Sequence, residues 1–133
     1  MKLMENYRSF QTPADPFGRV WNVNFKYCQT GIAIRHADSV DVGFLISTGD
    51  ETHDKVVVLN HPDLLAYCTR SGRELSDVWC SRVAAIKLTR LIVNAENMED
   101  HYIPVSALEL EDLDAAVRSW EHSYLASHGG KAA

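Results

Sequence analysis

The chain lacks any run of apolar residues long enough to span a bilayer, so no membrane attachment through a helix is expected. It has only three cysteines, Cys28, Cys68 and Cys80. Their odd number, and the absence of Cys-x-x-Cys spacing, exclude a disulfide framework or a dithiol redox motif as the reading. None of the six histidines stands in an HxxxH or HExxH pattern, so no metal and no cofactor is expected. Gly31, Gly43, Gly49 and Gly72 are scattered, without the spacing of a phosphate-cradling loop. Basic residues are in deficit, 13 against 18 acids, for a net charge of -5. A sheet-face nucleic-acid binder is therefore the disfavoured reading. The segment Met1–Phe10 carries Glu5 and Arg8 and no apolar stretch, so no signal peptide is expected. With unpaired thiols, this gives a cytoplasmic expectation.

What remains is ordinary globular material: 133 residues, 46% hydrophobic and 23% charged, enough for one core. Pro13, Pro16 and Gly18 make residues 1–18 an extended lead-in without regular structure. Residues 19–126 form a single α+β domain, and 127–133 (SHGGKAA) a disordered tail.

Arg19–Cys28 alternates, with Trp21, Val23, Phe25 and Tyr27 on one face. Gly31–His36, Val40–Ser47 and Lys55–Leu59 supply three more strands. Short connections predict a four-stranded antiparallel meander. Three helices follow, over 62–70, 72–94 and 107–127, packed on one face of the sheet. The start signals are Asn60 before Pro62 and Asp63, and the capping boxes Ser71–Glu74 and Ser106–Glu109, the second with a Val105–Leu110 staple. The middle helix is apolar over a wide arc, which implies burial on more than one side. The last helix carries one stripe, Leu110, Leu113, Val117, Trp120 and Tyr124. The acids Glu109, Glu111, Asp112 and Asp114 stand near its start, where they complement the helix dipole.

Charge is segregated. Residues 62–94 hold five bases and three acids, whereas 95–128 hold eight acids and only Arg118. Solvated helix faces account for this; so does a basic middle helix meeting the acidic last helix, within one chain or across a dimer.

Pairing 23–27 with 32–36, and Ile34 with Val42, sets Asn24 opposite Arg35 and Arg35 opposite Asp41. Asn24, Arg35 and Asp41, with Lys26 beside them, then form a polar row on the face away from the core. Ala33 and Gly43 leave a shallow depression there. This row is the candidate contact for a small anionic ligand or a protein partner. The expected function is a non-enzymatic binding or interaction module, self-associating as a homodimer. The alternative is a small enzyme with His36 and Asp38, or Asp41, as acid and base. The segment Gly31–Asp38 (GIAIRHAD) is distinctive but points to no named family.

Overall fold

The computed structural model describes residues 7–31, 39–96 and 98–124. Its strands are β1 (Ser9–Gln11), β2 (Asn22–Gly31), β3 (Ser39–Thr48), β4 (Glu51–Asn60) and β5 (Tyr102–Val105). Its helices are α1 (His61–Ser71), α2 (Asp77–Val93) and α3 (Leu110–Tyr124), the last entered through a 3-10 turn at Ala107–Glu109. The strands form one sheet in the order β1-β2-β3-β4-β5. The first four run antiparallel, and β5 joins β4 in parallel. The protein is thus α+β, with a five-stranded mixed sheet in place of the expected four-stranded one.

Two strands differ from expectation for identifiable reasons. The lead-in contributes β1, whose Phe10 pairs with Val23 and is buried in the core. Three residues are too few to show a period in sequence. The β5 segment contains Pro104, which argues against a strand except at an edge, and β5 is an edge. Its Ile103 and Val105 face the core. Lys55 holds the approach to β5: its side chain is buried, and its Nζ donates to the carbonyls of Met98 and Asp100.

The expected first hairpin is overturned. Both edges of 23–25 are occupied, by β1 on one side and β3 on the other, in place of the expected partner segment. Residues 32–38 themselves lie outside the described residues. A β-bulge at Lys26 then changes the parity of β2: Phe25 pairs with Phe44, but Tyr27 pairs with Gly43 and Cys28 with Val42. Cys28 therefore turns to the helices, where its Sγ lies 3.9 Å from the Asp77 carbonyl. Tyr27 turns to the opposite face. Its ring lies on Gly43, and a Cβ there would meet Tyr27 Cε2 at 2.4 Å. The expected depression at Gly43 is filled by that ring.

The helix boundaries follow from caps. Asn60 Oδ1 accepts the Asp63 N–H at 3.1 Å and opens α1. Gly72, at φ 77°, closes α1 in the left-handed conformation. The Ser71–Glu74 box does not form; Ser76 caps α2 instead, accepting the Trp79 N–H at 3.2 Å. Glu109 accepts the Ser106 N–H at 2.8 Å, as its capping box predicts. Helix α2 lies between the sheet and α3, which is why it is buried nearly all round.

The lead-in is tied down by a buried carboxylate. Asp15 accepts the Phe17 and Arg19 backbone N–H groups at 2.9 Å each, and the Trp21 ring N–H and Arg19 Nε at 3.1 Å. Burial by itself would raise the Asp15 pKa. These hydrogen bonds reverse that and bring it down to about 2.

The Tyr27–Gly43 contact is testable. Gly43→Ala should cost about 1–2 kcal/mol in urea unfolding, through overpacking against the ring. In a Tyr27→Ala background the same change should be neutral or stabilising; an undiminished cost there would contradict the contact.

Candidate functional site

Two regions gather polar and charged side chains. One is the sheet face turned away from the helices; the other is a polar cluster where the three helices meet.

On the sheet face the register places Asn24 opposite Ser9 and Leu45, and Asp41 opposite Gln29 and Val58. The expected Asn24–Arg35–Asp41 row does not follow from this pairing, and Arg35, His36 and Asp38 lie outside the described residues. Asn24 Oδ1 accepts the Ser9 hydroxyl at 3.2 Å, and Asp41 Oδ1 the Ser39 hydroxyl at 3.1 Å. Lys26 reaches across β3 to Asp54 at 2.9 Å, a half-exposed pair. The face is divided. Toward β1 it is polar, with Ser9, Gln11, Asn22 and Asn24. Toward β5 it is apolar: Val56 adjoins Tyr102, Val58 adjoins Pro104, and Tyr27 covers Gly43 beside Val56. Tyr102 is 63% exposed.

The second region centres on Asp114, whose side chain has no exposed surface. Its Oδ1 accepts the Trp79 ring N–H at 2.8 Å, and Arg73 Nη2 and Nε at 2.8 and 3.1 Å. Its Oδ2 accepts the Tyr67 hydroxyl at 2.5 Å and Arg118 Nε at 3.0 Å. Tyr67 belongs to α1, Trp79 to α2, Arg73 to their connection and Asp114 to α3. One carboxylate therefore joins all three helices. The Tyr67 and Trp79 rings lie parallel, with centroids 6.0 Å apart, so that both polar tips reach it. Burial pushes the Asp114 pKa up, but the bonds from Tyr67, Trp79, Arg73 and Arg118 outweigh it and hold the carboxyl below its ordinary range.

Glu121, two turns further along α3, accepts Arg73 Nη2 and Arg82 Nη1, each at 3.1 Å. Lys87 pairs with Glu109, and Arg90 with Asp112. The segregated charge of the sequence is thus resolved within one chain, as a ladder between basic α2 and acidic α3.

Sequence reasoning placed Asp114 among the dipole-complementing acids and missed this role. The available signal was its position: Leu110, Leu113, Asp114 and Val117 share the spacing of one helix face. Among the described residues, no cluster of three or more His, Cys, Asp or Glu side chains is placed to hold a metal. No helix of the described residues is long and apolar enough to cross a membrane. Comparison with protein-family models, with curated proteins and with solved structures finds no match.

Asp114→Asn should cost about 3–5 kcal/mol at pH 7, because Arg73 loses its buried counter-charge. Both Asp114 and Asp15 have depressed pKa values, so their stabilisation is complete above the unfolded value of 3.8 and is lost as pH falls through the folded values. Wild-type stability should drop between about pH 4 and 2, and Asp114→Asn should flatten that drop. Urea unfolding across this range checks both; equal slopes would contradict the assignment.

Proposed function

We propose that the protein is a small non-enzymatic interaction module that pairs with a second copy of itself through the open face of its sheet. The division of that face carries the reading. An exposed aromatic and aliphatic half, with Tyr102, Pro104 and Val58, adjoins a polar half. A two-fold axis through the apolar half sets it against its own copy, and each copy brings both signs of charge in Lys26, Asp41 and Asp54. The edges favour the face over strand addition: β1 has three residues, and β5 has four with Pro104 among them.

The chemistry of the buried groups supports binding over catalysis. Asp15 and Asp114 are held ionised by fixed donors, which suits structure and not proton exchange. Burial pushes the Cys80 thiol up to about 12, far from a thiolate nucleophile. Free thiols at Cys28, Cys68 and Cys80 fit a reducing compartment, and we place the protein in the cytoplasm.

Sedimentation velocity tests this reading. Wild type should sediment as a dimer at tens of micromolar. Tyr102→Glu, at an exposed position, should weaken the dimer by about tenfold or more with an unchanged circular dichroism spectrum. A wild-type monomer persisting at about 0.5 mM would overturn it.

A further inference from the structure

All three cysteines are free, but they are not equivalent. Cys68 and Cys80 are buried, at 6% and 2% exposure, whereas Cys28 is partly exposed. The bulge at Lys26 is what turns Cys28 from the open face toward the helices. There its thiol donates to the Asp77 carbonyl at 3.9 Å and bonds with the Ser81 hydroxyl. Asp77, Cys80 and Ser81 stand at i, i+3 and i+4 on α2 and share one face of its start. Helical side chains lean toward the N-terminus, which carries the Cys80 thiol back over Asp77. Two partners that flank Cys80 thus hold Cys28 beside it. The electrostatics agree: burial raises the Cys80 pKa most, and the Cys28 thiol is the next cause.

We propose that Cys28 and Cys80 are a redox-responsive pair, converted to an intramolecular disulfide by a low-molecular-weight disulfide of the glutathione class. Cys28 reacts first, because it alone of the three is open to solvent. Its thiolate attacks one sulfur of the oxidant. A mixed disulfide forms at Cys28, and one reduced thiol leaves, carrying the proton that Cys28 gave up. The Cys80 thiolate then attacks Cys28 Sγ and expels the second thiol, which takes the Cys80 proton. Two protein thiols are oxidised, and one external disulfide is reduced to two thiols. Cys80 ionises rarely, but a high-pKa thiolate is a strong nucleophile, and a fixed neighbour replaces a bimolecular encounter. Cys68 also adjoins Cys80, on the side of Asp114 and Arg73, but its burial keeps the oxidant away. The new bond staples β2 to α2 and closes a loop of about 50 residues. It uses different chemistry from the sheet-face contact and stands or falls independently of the dimer.

Incubation of the folded full chain with oxidised glutathione at about pH 8 tests the pair. The remaining thiols are alkylated after unfolding, and the linked peptides are identified by mass spectrometry. The expected product carries a Cys28–Cys80 bond with Cys68 alkylated, and its Tm lies about 5 °C or more above that of the reduced protein. Cys28→Ser, at a partly exposed position, should yield no disulfide and no Tm shift. Cys80→Ala should stop at one glutathione on Cys28. Three results in the wild type would each overturn the proposal. They are a Cys68–Cys80 bond, a mixed disulfide that persists at Cys28, and no reaction of the folded chain over a day.

Discussion

The arrangement of the helices depends on one buried carboxylate. Asp114 accepts donors from α1, the α1–α2 connection, α2 and its own helix, so no helix can shift without breaking a hydrogen bond to a buried charge. Breaking such a cluster costs far more than its formation contributes, because the orphaned partner stays buried. The cluster therefore acts through specificity. It fixes which residues of three apolar helices face one another, where hydrophobic burial alone would accept several registers. At the other end of the molecule Asp15 repeats the device on a smaller scale, again with an indole N–H and an arginine, and seats the lead-in against the sheet.

From this cluster the charge ladder along α2 and α3 follows. Arg82–Glu121, Lys87–Glu109 and Arg90–Asp112 line up as the helices pass. Each pair is partly exposed and worth little alone. Together they explain why the bases gather in one helix and the acids in the next.

Some of this was legible in the sequence. Long alternating segments announced the antiparallel strands, and the Asn60 and Ser106 caps announced α1 and the entry to α3. Register was not legible, because a single extra residue at Lys26 moves Tyr27 and Cys28 to opposite faces, and nothing local marks it. The Ser71–Glu74 box misled because Gly72 is more useful as a helix terminator than as a first-turn residue. Among the sheet-face candidates, Asn24 and Asp41 take the Ser9 and Ser39 hydroxyls as partners, and Lys26 pairs with Asp54 across β3. Asp114 was hidden because an acid in the first turns of a helix has a sufficient local explanation. Only its place between Leu113 and Val117 on the apolar face separates it from Glu111 and Asp112.

The open sheet face lies on the side of this frame away from the helices and inherits its rigidity. The claim beneath this account is that Asp114 is an ionised hub. A carbon-detected NMR titration of the Asp114 carboxyl measures this directly. The structure predicts a midpoint below the ordinary 3.8, with the Trp79 indole and Tyr67 hydroxyl signals shifting together with it as the carboxyl protonates. A midpoint at or above 3.8, or indole and hydroxyl signals indifferent to it, would contradict the account.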